Sequence, residues 1–534
     1  MATLKLLLLL LLCFIVAYIR GDTNEDKKYW REVADRELKD ALKYTWNTNT
    51  AKNVIVFVGD GMSPDTITAS RIYRAGENSY LSWERFPHIG LLKTYNNDKQ
   101  APDSASTATA LFGGVKTNYN LIGVDGNVKL DDCNASLVAD NRVDSIISWA
   151  QAAGKSTGFV TTTRVTHATP GPLYASSANR KWECEACGKM PKNSKCKDIG
   201  RQLVENEPGK NIKVIMGGGR QMLRTDVSST ENDPLDMWAG RRADGRDLIR
   251  AWEEDKKEKQ AAYKVVENNR QLSQVDFDKV DYLLGIFANG HVSMDYKRDK
   301  GPKGMPSLAD MTVAALKVLK KNERGFLLVV EGGLIDFAHH RGHAAQALLE
   351  TVRLSEAINA TLDMVDTEDT LVIVTSDHTH SLSFNGNSDR GANILGIADV
   401  SKIEGIPYTT LSYGTGGPNN RAYETYQDGK ETKMRRIDPT TSDTTDFEYS
   451  QQAAFVTDEA HHGGGDVAVY AIGPYAHLFH TTHEQNFVAY VVAYAAKIGP
   501  YNHSSSIYSS NQWGLVLIGN LLALLLTSYS YYHL

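Results

Sequence analysis

Three short stretches carry side chains able to hold metal ions. In EGGLIDFAHHRGH (331–343), Asp336 and His340 stand four apart. On a helix that spacing stacks them one turn apart on one face, where a carboxylate oxygen and an imidazole nitrogen can grip one zinc ion. In TSDHTH (375–380), Asp377 and His378 are adjacent, and both reach one ion only if the chain turns there, as it does at a strand end. In AHHGGGDV (460–467), either His461 or His462 could supply a further nitrogen ahead of a glycine-rich turn that lets the backbone approach an ion closely. Each stretch has an ordinary alternative: a helix terminus, a polar loop, an exposed loop.

A fourth stretch, PDSASTATA (102–110), holds the candidate nucleophile. Ser104 follows an aspartate and opens a run of small residues that reads as a helix beginning at Asp103 or Ser104. A serine there is either a cap or a nucleophile. The chain has no clear G-x-S-x-G elbow to imply a Ser-His-Asp triad, but metal coordination can activate a hydroxyl instead. A helix N-terminus favours anions such as phosphate. Asp103 would repel one unless a cation intervenes, and Arg180 in NRKW can bind phosphate through two parallel hydrogen bonds. Without that context a lone arginine is a solvated surface charge.

These residues need strands to bring them together, and the sequence supplies them. NVIVFVGDGM (53–62), STGFVTTT (156–163), KVIMGGG (213–219), GFLLVVEGG (325–333) and DTLVIVTSDH (369–378) are apolar runs that stop at Gly, Thr, Asp or Glu. Strands buried on both faces read this way. Helical patterns lie between them, at 308–322 and 343–365, so the expected fold is α/β, a mostly parallel central sheet flanked by helices on both faces. Ligands of such sheets sit beyond the carboxyl ends of the strands. That gathers Asp60, Thr169, Glu331, Asp336, Asp377 and His378 in one place. Mixed nitrogen and oxygen donors suit zinc, and an oxygen-rich remainder suits magnesium. Two zinc ions a few ångströms apart clamp the attacking and leaving oxygens of a phosphoryl transfer. From about 383 to 452 the pattern dissolves into Gly, Asn, Ser, Thr and Tyr, an irregular insertion with room for short strands.

The 534 residues allow about two to four domain-sized units, or one large α/β domain with insertions. A net charge of −6 and the lack of a basic run argue against a nucleic-acid partner. Residues 1–20 read as a secretory signal peptide, with a signal anchor as the alternative. At the other end, small residues, a short polar spacer and an apolar tail read as a GPI-attachment signal. The attachment point is then one of Ser504, Ser505 and Ser506, or lies at 509–511, and 506–534 is removed. The expected location is the extracellular face of the plasma membrane. Four cysteines remain after the signal, Cys133, Cys184, Cys187 and Cys196, an even number that suits two disulfides in an exported chain. CEAC (184–187) is alternatively half a zinc site, but no second C-x-x-C completes it. Asn134, Asn359 and Asn502 lie in glycosylation sequons.

Together VFVGDGM, PDSASTATA, TTTRVTHATP, VEGGLIDFAHH, TSDH and HHGGGDVAVYAIGPYAHLFH resemble the animal alkaline phosphatases, in order, over roughly residues 30 to 500. The resemblance implies a homodimeric, GPI-anchored phosphomonoesterase using two zinc ions and one magnesium per subunit, with residues 21–505 as its catalytic domain. It implies that Ser104 becomes phosphorylated, that Arg180 binds the phosphate and that His167 lies close by. One zinc would take Asp336, His340 and His462. The other would take Asp60, Asp377 and His378, with Ser104 completing its shell. Magnesium would take Asp60, Thr169 and Glu331. The disulfides implied are Cys133–Cys196 and, with the cysteines left, Cys184–Cys187. The irregular insertion matches the family's crown, at the dimer interface. Ser106 stands where the family usually has glycine, and Phe337 and Ala338 replace the His-Gly of mammalian members. A sulfatase would need a C/S-x-P-S-R context, absent around Ser104; a phosphodiesterase favours a threonine nucleophile. A surface binding protein that had lost catalysis should lack at least one ligand, and the set is complete.

Overall fold

The computed structural model describes residues 25–191 and 194–502, so the expected signal peptide and attachment residues lie outside the described part. Residues up to Trp46 group apart from Asn47 onward. The first group holds α1 (Lys27–Ala41), capped by the Asp26 carboxylate, which accepts from the Lys28 and Tyr29 N–H groups. None of its residues is buried.

The second group is built on a ten-stranded sheet. In chain order its strands are β1 (Asn53–Gly59), β2 (His88–Lys93), β3 (Ser156–Arg164), β4 (Val214–Gly218), β5 (Tyr263–Val266), β6 (Tyr282–Ile286), β7 (Phe326–Gly332), β8 (Thr370–Thr375), β9 (Val467–Ile472) and β10 (Thr481–Glu484). Their spatial order is β10-β2-β9-β8-β1-β7-β3-β4-β6-β5. From β8 to β5 all pairs are parallel. β9 alone runs antiparallel, against both β8 and β2. The five apolar runs form β1, β3, β4, β7 and β8. All are central, with helices available to cover both faces, so their side chains are apolar in both directions. In β1, Val54, Val56 and Val58 join one core, while Ile55 and Phe57 join the other.

The first core is roofed by α2 (Ser104–Gly113) and α6 (Phe487–Ala496), the second by α3 (Leu308–Leu319), α4 (Leu334–His340) and α5 (Ala344–Leu362). The irregular insertion contains short strands: Leu382–Phe384, Leu411–Gly416 and Ala453–Val456 in one sheet, the pair Ile397–Val400 and Pro407–Thr409, and the exposed hairpin Tyr423–Asp428 with Glu431–Arg436. Cys133 is bonded to Cys196, and Cys184 to Cys187. Asn134 and Asn359 are exposed. No helix among the described residues is long and apolar enough to cross a membrane.

α5 also carries a buried acid that is useful as a stability probe. Glu350 lines a cavity of about 20 Å³ and accepts the Asp295 N–H at 2.7 Å. Arg298 and Arg353 lie near it, but both are committed to Asp295, each at 2.7 Å. Burial therefore dominates and pushes Glu350 up to about 7 from an ordinary 4.5. The folded chain holds this proton where the unfolded chain releases it, so stability falls as pH rises from 4.5 to 7, by about 3 kcal/mol in all. Glu350→Gln removes that cost. The variant should melt a few degrees above the parent at pH 8.5 and level with it at pH 5. An equal difference at both pH values would sink the assignment.

Candidate functional site: a buried carboxylate and imidazole cluster

The first residue of α2 is Ser104. The cap is Asp103, whose carboxylate accepts from the Ala105 N–H at 3.2 Å and the Ser106 N–H at 3.4 Å. Ser104 is therefore not spent as a cap. Its Oγ lies 3.2 Å from His378 Nε2, and it is only 1% exposed.

Three groups of possible metal donors are formed among the described residues, one of them including His378. In the first, the four-residue spacing on α4 sets His340 Nε2 3.3 Å from Asp336 Oδ2. His462 Nε2 joins them, 3.0 Å from His340 Nε2 and 3.4 Å from Asp336 Oδ1. Both imidazoles are oriented from behind. His340 Nδ1 meets the Ala460 carbonyl at 2.9 Å, and His462 Nδ1 meets that of Pro102 at 2.7 Å. A carbonyl only accepts, so a proton is assigned to Nδ1, and Nε2 is the nitrogen turned inward in each case. His339 turns the other way, to Tyr413 and Thr66. His461 is exposed, beside Asp458.

The second group lies where β1 and β8 end. Asp60 follows β1, and Asp377 and His378 follow β8, its hydrogen-bonded neighbour. His378 Nε2 is 3.4 Å from Asp60 Oδ1 and 3.3 Å from Asp377 Oδ2. In the third group Glu331, on β7, stands beside Asp60 and His167. Thr169 Oγ1 donates to Asp60 Oδ2 at 3.4 Å. One Glu331 oxygen takes the Thr161 and Thr163 hydroxyls from β3.

This much negative charge cannot stay buried uncompensated. Asp60 is held well above the usual carboxylate range by burial and then by the charges of Asp377, Asp336 and Glu331. Burial lifts Glu331 to about 7 and Asp377 to about 6. Burial also works to raise Asp336, but His340 and His380 beside it hold it well below the usual range. His378 is pushed down by burial and His462, so it stands neutral, as a ligand must. Asp60 Oδ1 and Glu331 Oε1 are buried without a hydrogen-bond partner. Unpartnered oxygens among crowded carboxylates, with imidazole nitrogens turned toward them, are what divalent cations complete, so the residues fit them.

Arg180 reaches the helix cap: one guanidinium nitrogen lies 3.1 Å from Asp103 Oδ2 and another 3.3 Å from His167 Nε2. The aspartate that seemed to oppose a phosphate is thus the arginine's anchor. The Phe337 ring packs between His291, at 5.1 Å between centroids, and the Arg341 guanidinium, 4.1 Å above it.

The residues read from the sequence as a site are brought together here. One residue escaped that reading: His380 Nε2 lies 2.5 Å from Asp336 Oδ1 and belongs to the first donor group. His167, expected near the phosphate, belongs to the third group. The signal for His380 was present in TSDHTH, two residues beyond His378.

The alkaline phosphatase family model matches residues 51–498. The tissue-nonspecific alkaline phosphatase isozyme of Gallus gallus is 42% identical over 513 residues, covering 94% of this chain and 95% of that protein. The membrane-bound alkaline phosphatase of Bombyx mori is 38% identical over 499 residues, covering 91% and 88%. Among solved structures, the alkaline phosphatase of Thermus thermophilus superposes with a TM-score of 0.58 at 22% identity, over 84% of this chain and 92% of that one. That of the Antarctic bacterium TAB5 gives 0.56 at 22%, over 85% and 99%.

Proposed function

This chain belongs to the alkaline phosphatase family and hydrolyses phosphate monoesters; on that footing we propose that Ser104 is its nucleophile, Arg180 its phosphate clamp, and the three donor groups its sites for two zinc ions and one magnesium. The observation that carries the reading is the Ser104 hydroxyl at the start of a buried helix, 3.2 Å from His378 Nε2, which itself has Asp60, Asp377 and Asp336 oxygens at 3.4, 3.3 and 4.0 Å. Zinc would be held by Asp336, His340 and His462, and by Asp60, Asp377 and His378 with Ser104. Magnesium would be held by Asp60, Thr169 and Glu331. When bound, these cations supply the positive charge that lowers the serine's pKa and stabilises the attacking and leaving oxygens.

The chain's own residues do the rest. Ser104 Oγ gives up its proton and forms a bond to phosphorus as the ester P–O bond breaks, and the alcohol leaves carrying a proton. Water then attacks phosphorus from the opposite side. The Ser104 Oγ–P bond breaks, and the serine recovers a proton. Through both steps Arg180 holds two phosphate oxygens, and the N–H groups opening α2 favour the anion. His167, beside Arg180, narrows the arginine's range. Acid quenching during turnover, followed by mass spectrometry of the peptide containing Ser104, tests this directly. A phosphoryl group on that serine is expected, and one on any other residue would overturn the assignment.

His380 acts through Asp336, holding one carboxylate oxygen in place. His380→Ala should weaken zinc retention by about 10- to 100-fold, read as zinc per chain against a graded chelator series. Retention equal to the parent's would exclude that role. The membrane-bound name of the Bombyx mori relative and the terminal segments support a secreted, GPI-anchored protein on the outer leaflet; the sequons support glycosylation at Asn134, Asn359 and Asn502, and the family resemblance supports a homodimer. Release from cells by a phosphatidylinositol-specific phospholipase tests the anchor.

A further inference from the structure

Ser106 is the third residue of α2, is 1% exposed, and takes no part in the chemistry above. Its hydroxyl donates to Asp103 Oδ1 at 2.7 Å. The Asn96 side-chain amide donates into the same Oγ at 3.0 Å, which turns the hydroxyl proton toward Asp103, where the carboxylate oxygen at 2.7 Å is nearer than that residue's own carbonyl at 3.0 Å. Asp103 Oδ1 also accepts the Asn120 N–H at 2.9 Å. Its other oxygen takes the Ala105 N–H at 3.2 Å and Arg180 at 3.1 Å. The carboxylate is only 1% exposed, and Arg180 is its one ion-pair partner among the described residues. One oxygen is saturated by neutral donors, so the arginine meets only the other, through a single nitrogen.

We propose that Ser106 is a positioning residue for phosphate binding, its hydroxyl fixing the Asp103 carboxylate so that it takes one nitrogen of Arg180 alone and leaves the other terminal nitrogen, 3.3 Å from His167 Nε2, outside the carboxylate's grip and able to turn to phosphate. This rests on the reading of Arg180 as the phosphate clamp. Without the hydroxyl, Asp103 Oδ1 loses its shortest donor, and the carboxylate can turn. It then either pairs with the guanidinium side-on or lets it swing away. Both relaxations weaken the same step, because a clamp binds best when its geometry is fixed beforehand.

The test is a double-mutant cycle read by the inhibition constant of inorganic phosphate against p-nitrophenyl phosphate. Alanine is a good helix former, so Ser106→Ala keeps α2 intact. Ser106→Ala should raise the inhibition constant and KM by about five- to tenfold, with kcat changing less than about twofold. Arg180→Ala should raise the constant further, and adding Ser106→Ala to it should then change nothing. An inhibition constant unchanged in Ser106→Ala, with Arg180→Ala raised, overturns the proposal alone. So does the same increment from Ser106→Ala in both backgrounds. A constant unchanged in Arg180→Ala overturns the clamp reading and this proposal with it.

Discussion

Alanine at position 104 should lower phosphate-monoester hydrolysis by at least about a thousandfold while zinc content stays at the parent's level. The loss is expected to be large because the proposed mechanism makes this hydroxyl the attacking group. His378 Nε2 faces it but stands neutral among carboxylates, as a ligand rather than a nucleophile. The activity that remains measures what the cations and Arg180 achieve with water alone. Folding should be nearly untouched, since the cap of α2 is Asp103 and not Ser104. Measuring kcat/KM and zinc on the same preparation separates the roles. Activity that survives with full zinc would remove Ser104 as nucleophile, and zinc lost along with activity would make it chiefly a ligand.

Stripping the metal should be comparably severe. Treatment with a strong chelator should abolish hydrolysis, and zinc with magnesium should restore it. The stripped chain should also melt lower. Asp60, Asp336, Asp377 and Glu331 would be left crowded and buried, with only protons to neutralise them. Each cation present at 100 times its dissociation constant contributes about 2.7 kcal/mol to the folded state. The melting point should therefore rise with added zinc in a saturable way. Hydrolysis that survives complete removal would refute the cation reading.

Much of this site was legible because its parts obey short-range rules. Asp336 and His340 are one helical turn apart, and a four-residue spacing declares that in any helix. Asp60 and Asp377 end β-branched runs, and central parallel strands expose their functional residues only at such ends. What could not be read depends on pairing across the sheet. Thr161 and Thr163 look like strand filler until β3 is laid beside β7, where Thr161 comes opposite Glu331. His380 is placed by a two-residue ladder with His462, a register no local pattern announces. Arg180 and Asp103 are 77 residues apart, and nothing in either neighbourhood names the other. The insertion had room for short strands in the sequence, but their positions were hidden, since Gly, Asn and Ser leave no alternation to detect.

β9 is wedged between β8 and β2, and it is the strand that immediately follows the His462 turn. A nascent chain therefore presents Asp60, Ser104 and Glu331 well ahead of His462, the last donor of the first group to leave the ribosome. A premature stop between 381 and 460 yields a chain that has the acids but lacks that imidazole. If the group holds zinc as proposed, loading with the ion reports that synthesis has passed His462.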